Sequence, residues 1–239
     1  MNILVIIEDN HGSIHRMSKE AIVAAQKIGG SISALVIGEN SLKFSETLSE
    51  YNLSGVITVN HKLVSSYNAD AYAETVSQVI QNEKPNKIIV GHTYQTRDFM
   101  PRVSAKLDIP FISDIIFLNG DQYIKQVLNA KLNASSSSSS DCCILSFQSA
   151  AFNQEALSLG SCSARSFDVN LDLSMVRSVS EAPFQEEAGD VDLEGAEILV
   201  SIGRGIEKKE NINLGFELAK VMGAEVSASR PIVDAGWID

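Results

Sequence analysis

The sequence predicts an α/β protein: an N-terminal parallel-sheet, Rossmann-like domain with added antiparallel strands, then the first βαβ unit of a second, doubly wound domain. Three observations carry that expectation. Short apolar runs alternate with amphipathic segments from Met1 to about Leu118, the signature of a parallel α/β sheet. An acidic stretch bearing Pro183 and Gly189 then interrupts the chain. After it a fresh apolar run, a glycine-flanked turn and a new amphipathic segment begin.

Ile3–Ile7 is a β-branched-rich run and reads as a buried strand. A helix opens at Ser18-Lys19-Glu20, with Ala21, Ile22, Ala25 and Ile28 on its apolar side, and Gly29-Gly30 stops it. Ser31–Ile37 is the second strand, Ser41–Tyr51 a helix and Val56–Val59 the third strand. Asp70 is the expected N-cap of a helix carrying Ala73, Val76, Val79 and Ile80, and Pro85 ends that connection. Lys87–Gly91 is the fourth strand, followed by a helix from about Phe99 to Leu107. Ile115–Leu118, Tyr123–Leu128, Cys142–Phe147 and Ala164–Val169 read as strands with no helix between them, expected to extend the sheet in antiparallel fashion. Ser135–Ser140, six serines in a row, favours no packed element and is expected at an exposed hairpin tip or loop.

Seven acids and no Lys or Arg lie between Glu181 and Glu197, so the rest of the chain carries only −4 of the net −11. Like charges repel and little apolar surface is available to bury, which predicts an extended linker over 181–194 between an N-terminal domain, 1–180, and a second domain, 195–239. An acidic surface loop within one domain is the alternative. In the second domain Ala196–Ile202 is a strand, Gly203-Arg204-Gly205 a tight turn, Asn211–Met222 a helix with Leu214, Leu218 and Val221 on its apolar face, Gly223 its cap, and Glu225–Ala228 a second strand. One βαβ unit is less than an independently stable sheet needs, so the second domain reads as unfinished.

The 239 residues are 44% hydrophobic and 21% charged, an ordinary globular composition. An acidic molecule of pI near 4.8 is a poor partner for nucleic acid or an anionic membrane. No apolar stretch approaches the ~20 residues of a membrane span, and Met1–Ile7 lacks a basic leader and ends at Glu8. Cys142, Cys143 and Cys162 form neither a disulfide framework nor a metal-ligand spacing, so a reducing cytoplasm is expected.

The chemistry concentrates in the second domain. Gly203-Arg204-Gly205 stands where a strand ends and a helix approaches, the edge at which open α/β sheets bind ligands. Glycines let the backbone approach a ligand, and arginine can fork onto phosphate oxygens. Ser229 and Arg230 follow the next strand and, in a parallel sheet, reach the same edge. Either arginine could equally be a solvated turn residue. His11 and His15 have a helical metal spacing, but Gly12 intervenes and no third ligand is evident. His92, close to Thr93, Arg97 and Asp98, is expected to cap the Phe99–Leu107 helix. No nucleophile elbow, Walker loop or dinucleotide fingerprint is present, so the sequence describes a binder and no catalytic or metal residue.

Ile202-Gly203-Arg204-Gly205, Glu210-Asn211 and Ala228-Ser229-Arg230-Pro231-Ile232-Val233-Asp234-Ala235-Gly236-Trp237 closely resemble the FAD domain of the electron transfer flavoprotein alpha subunit. Pro101–Leu107 and Ile112-Ser113-Asp114 resemble segments of that family's first domain, and the resemblance spans essentially the whole chain. It implies an electron carrier and not an enzyme. The implied partner is a beta subunit, the cofactor FAD, the donors dehydrogenases such as the acyl-CoA dehydrogenases of fatty acid β-oxidation, and the acceptor a quinone oxidoreductase. By motif, Arg204 and Ser229 would contact FAD with Gly203 and Gly205 beside them, and Arg230 would lie against the flavin ring, where a fixed cation favours the reduced forms.

Departures accompany the resemblance. Ile202 stands where the family has glycine, and Gln126–Ala130 and Gln148–Phe152 lack arginine and proline of the corresponding family segments. Two glutamine- and glycine-bearing segments expected beyond Trp237 are not in the sequence, which reads as lacking the C-terminal part of the FAD domain; weak or absent FAD binding by this chain alone is therefore expected. Two other readings stay open. One is a nucleotide-binding regulatory protein of universal-stress type, which 1–107 would permit. The other is a degenerate, flavin-free relative acting as an interaction module.

Overall fold

The computed structural model describes residues 1–181 and 196–238. Residues 182–194, nearly all of the expected acidic linker, lie outside the described residues. The chain divides into two compact units, Met1–Glu181 and Ala182–Asp239.

The first unit is a nine-stranded sheet. Its elements are β1 (Asn2–Ile7), α1 (Arg16–Ile28), β2 (Ser31–Ile37), α2 (Ser41–Leu48), β3 (Gly55–Val59), α3 (Ala69–Glu83), β4 (Lys87–Gly91), α4 (Tyr94–Leu107), β5 (Phe111–Asn119), β6 (Gln122–Val127), β7 (Leu132–Ser136), β8 (Cys143–Phe147) and β9 (Ala164–Ser166). The strand order is β9-β3-β2-β1-β4-β8-β5-β6-β7. β1 shows why the sheet needs two covering layers. Ile3, Val5 and Ile7 face a core with Ala21, Ile22 and Ala25 of α1 and Phe44 and Leu48 of α2. Leu4 and Ile6 face the opposite core, with Val76 and Ile80 of α3 and Phe99 and Val103 of α4. An apolar run without alternation is what burial on both faces demands.

The β/α alternation stands as expected over the first four strands, with boundary corrections. Asn68, not Asp70, caps α3: its Oδ1 accepts from the amides of Asp70 and Ala71 at 3.1 Å. α4 begins at Tyr94, five residues before Phe99, because the Thr93 hydroxyl accepts from the Thr96 amide and closes the first turn. Pro101, which favours a helix start, is instead tolerated inside. His92 does not cap this helix; its Nδ1 lies 2.9 Å from Ser146 Oγ.

The later strands differ more. Within the nine-stranded sheet only the β5–β6 and β6–β7 pairings are antiparallel. β8 inserts between β4 and β5, parallel to both, and β9 pairs parallel with β3 on the far edge. Every residue of Cys143–Phe147 is buried, which suits a central strand. Of the serine run, Ser135 and Ser136 close β7 and the rest form the exposed connection to β8.

In the second unit β10 (Leu199–Ile202) pairs parallel with β11 (Glu225–Ala228), with α5 (Ile212–Met222) between them and α6 (Arg230–Val233) after them. Gly223 ends α5 in the left-handed conformation at φ 63°. The expected apolar face of α5 is reversed. Ile212, Gly215 and Ala219 are buried, whereas Leu214 is 61% and Val221 86% exposed. The small residues face β10 because they allow the closest approach of helix to strand.

Candidate functional site

The site is built at the carboxyl ends of β10 and β11. Their register pairs Ile202 with Ala228, so Gly203 and Ser229 leave the sheet side by side. The Ser229 amide donates to the Ile202 carbonyl at 2.9 Å, locking the two chain exits together. A Cβ on Gly203 would lie in ordinary contact, 3.9 Å from Ser229 Oγ, which marks how near the two chain exits stand to each other. Arg204–Ile206 then forms a single 3-10 turn and Gly205 stands in open space. A second such turn, Lys209–Asn211, leads into α5.

Ser229 stands at the N-cap of α6, yet its side chain makes no capping hydrogen bond. Its hydroxyl instead faces the Gly203 position at the neighbouring strand exit. Arg230 is the first residue of α6; its side chain is 90% exposed, and its guanidinium lies 3.6 Å from the Asp234 carboxylate. Arg204 is likewise exposed. The structure thus brings Gly203 and Ser229 into contact range and puts Arg204, Gly205 and Arg230 on the same sheet edge. The two arginines do not touch the protein's interior.

Three further residues shape this edge. Gly215 in the middle of α5 is the most constrained: a Cβ there would sit 2.6 Å from Ile202 Cδ1. Its only sequence signal was a glycine within a helical pattern, which costs helix propensity and so implies a packing reason. Asn211 Nδ2 donates to the Ile206 carbonyl, and Lys209 Nζ to the Gly236 carbonyl, each at 2.9 Å. These bonds hold the turn after Gly205 and the chain after α6.

The histidines and cysteines serve elsewhere. His15 Nδ1 accepts from the Met17 amide and caps α1. Among the described residues no group of three or more His, Cys, Asp or Glu side chains could hold a metal ion. The three cysteines are free, and burial pushes the Cys142 thiol up to about 11. No helix among the described residues is long and apolar enough to cross a membrane.

Comparison with known proteins covers both units. Residues 3–171 match the electron transfer flavoprotein domain, and residues 192–239 match the electron transfer flavoprotein FAD-binding domain. The chain is 30% identical over 242 residues to the electron transfer flavoprotein subunit alpha of Bacillus subtilis (strain 168), covering 99% of this chain and 74% of the relative. This chain belongs to the electron transfer flavoprotein family, as an alpha subunit. The alpha subunit of Thermoanaerobacterium thermosaccharolyticum is 28% identical, over 99% of this chain and 75% of the relative. A probable mitochondrial alpha subunit of Caenorhabditis elegans is 29% identical, over 98% of this chain and 71% of the relative. Members of the electron transfer flavoprotein family are electron carriers, not enzymes. Gly203, Arg204, Gly205, Ser229 and Arg230 all fall inside the segment that matches the FAD-binding domain.

Proposed function

We propose that this chain holds FAD at the carboxyl edge of its second unit and pairs with a beta subunit to form a heterodimeric electron transfer flavoprotein. In this reading it takes electrons from primary dehydrogenases, such as acyl-CoA dehydrogenases, and passes them to a quinone oxidoreductase. A cytoplasmic setting suits its free cysteines. The observation that carries the reading is the juxtaposition of Gly203 and Ser229 at adjacent strand ends, with an arginine immediately after each.

The residues fit the group. FAD, when bound, supplies the electron-accepting chemistry. Gly203 and Gly205 admit its approach to the backbone. The Ser229 hydroxyl, which caps nothing, is available as a hydrogen-bond partner. Arg204 matches anionic oxygens with its planar fork. Arg230 supplies a fixed positive charge, and a cation beside an electron-accepting ring raises its potential. The described residues of the second unit form one wall of such a site and leave Leu214 and Val221 of α5 exposed. FAD is therefore expected to bind weakly to this chain alone and more firmly with the beta subunit present.

Co-expression with a beta subunit, followed by absorbance of the purified complex, tests this. The expected result is flavin in the complex, less of it in Arg204→Ala, and a lower flavin midpoint potential in Arg230→Ala than in Arg230→Lys. A complex that forms without flavin would leave the fold as an interaction module and overturn the cofactor reading. An unchanged potential in Arg230→Ala would remove that residue from the role.

A further inference from the structure

The first unit carries a crevice that the flavin reading does not use. β1 leads through α1 to β2 and β3 on one side, whereas α3 returns the chain to β4 on the other side of β1. The order in which strands are added therefore reverses between the parallel strands β1 and β4, the place where open α/β sheets bind ligands. At their carboxyl ends lies a cavity of about 630 Å³.

Its walls are fixed by buried polar groups. Glu8 follows β1: its amide donates to Ser18 Oγ at 2.9 Å, and its carboxylate accepts from the Thr93 hydroxyl at 2.5 Å. Burial raises the Glu8 carboxyl above the usual carboxylate range, with the Thr93 hydroxyl and His15 opposing. His92 follows β4, and its Nδ1 meets the fully buried Ser146 hydroxyl at 2.9 Å. That hydroxyl also accepts from the Asp114 amide at 3.2 Å. The other ring nitrogen, Nε2, lies 3.9 Å from the Asp114 carboxylate. Asp114 itself stands at φ 62°, unusual for a residue with a side chain, next to an irregularity in the β8–β5 register. Such bulges re-aim side chains beside sites. The fourth wall, after β8, is tied from behind: the Ala150 amide donates at 2.8 Å to Glu20, a carboxylate only 4% exposed.

The lining selects a ligand class. Glu8 and Asp114 offer two carboxylates, which accept from neighbouring hydroxyls as the acidic residue of a dinucleotide fold accepts from a ribose. Tyr94 is 87% exposed at the rim, and the Arg97 guanidinium lies 5.5 Å from its ring centre. This is a flat surface on which a heterocycle can stack. Phosphate is disfavoured. An anion would bind the N-terminus of α4, and the Glu8 carboxylate already lies there against the capping Thr93.

We propose that the crevice between Glu8 and His92 binds a nucleoside, with its base against Tyr94 and its vicinal hydroxyls donating to Glu8 and Asp114. The site is formed by residues of the first unit and does not depend on the flavin reading.

Titration of the full chain with adenosine, 2′-deoxyadenosine and AMP, followed by calorimetry and by NMR of the His92 ring, tests it. Saturable adenosine binding that shifts the His92 signals is expected. Loss of one charge-assisted hydrogen bond should weaken 2′-deoxyadenosine about tenfold, and Glu8→Gln and Asp114→Asn similarly. AMP should bind no more tightly than adenosine. Asparagine tolerates the left-handed conformation at 114, and Glu8→Gln removes a buried charge, so its thermal midpoint near neutral pH should not fall. Arg204→Ala and Arg230→Ala should leave adenosine binding unchanged, which separates the crevice from any adenosine affinity of the flavin edge. No saturation at millimolar adenosine, equal affinity for the deoxy compound, full affinity in Glu8→Gln, or loss of binding in Arg204→Ala would each overturn the proposal.

Discussion

Replacing Gly91 by alanine tests how the first unit is packed at its central strand. Gly91 is the last residue of β4 and is buried beneath the first turn of α1. A Cβ there would lie 2.7 Å from Met17 Cβ and 3.3 Å from the Met17 carbonyl carbon and oxygen. Met17 Cβ moves only with its backbone, so no rotamer change relieves the overlap. α1 would have to lift from the sheet, against its cap at His15 and the bond from Glu8 to Ser18. One extra buried methyl contributes about 0.8 kcal/mol in favour, whereas overpacking of a fixed core costs about 1–3 kcal/mol. The clash wins, because the atoms it meets belong to a helix backbone. For a unit of this size each kcal/mol shifts the thermal midpoint by about 2–4 °C, so the net cost of about 0.2–2.2 kcal/mol gives an expected fall of up to about 9 °C. Circular dichroism melts of the full chain measure it. Gly205→Ala is the control, since its added Cβ meets nothing within 4 Å. A Gly91→Ala midpoint equal to that of Gly205→Ala would refute the packing argument. So would additivity of Gly91→Ala with Met17→Gly, which removes the opposing atom.

Other substitutions probe other links. Glu20→Ala removes the acceptor of the Ala150 amide, which lies in an exposed loop where water can replace it, and should cost about 0.5–1.5 kcal/mol in urea unfolding; an unchanged midpoint would show that the bond contributes nothing to the fold. Asn68→Ala removes both side-chain bonds to the first turn of α3 and should cost about 1 kcal/mol, whereas Asp70→Ala would be the costlier of the two if Asp70 were the cap. Asp70 instead works through charge: the Arg177 amide, with the Arg177 and Arg102 guanidiniums, holds its carboxyl below the usual range. A lowered acid stabilises the fold above its unfolded value, about 4, and that contribution is lost as pH falls through the native value. Asp70→Asn should therefore flatten the fall in urea midpoint below about pH 4; parallel curves for the parent and Asp70→Asn would refute the assignment.

The first four β/α repeats were legible because each strand is buried on both faces and each helix buries one stripe. Those patterns are local, and Ile3–Ile7 or Lys87–Gly91 reads the same in isolation and in the sheet. Helix starts were less legible. Asn68 and Thr93 cap through side-chain oxygens that any nearby Asp, Ser or Thr could also offer, so composition alone did not choose among them. The orientation of α5 was misread for a different reason. Its apolar residues surround most of the helix, with Asn213, Glu217 and Lys220 the only polar ones, so two faces competed. Contact distance settled it: Gly215 and Ala219 let α5 approach Ile202, which bulkier leucines would prevent.

The sequence by itself determined the alternation of strands and helices up to Leu107, the glycine-arginine turn after β10, the left-handed stop at Gly223 and the family resemblance. All of these depend on residues close together in the chain. Tertiary structure alone decided that β8 lies between β4 and β5, since strand order depends on which edges meet and not on any local pattern. It also decided that Glu8, His92 and Asp114, far apart in sequence, line one crevice. No spacing rule links two residues that follow separate strands with a third at an irregularity inside another strand. Only the order of strands in the sheet brings their carboxyl ends together.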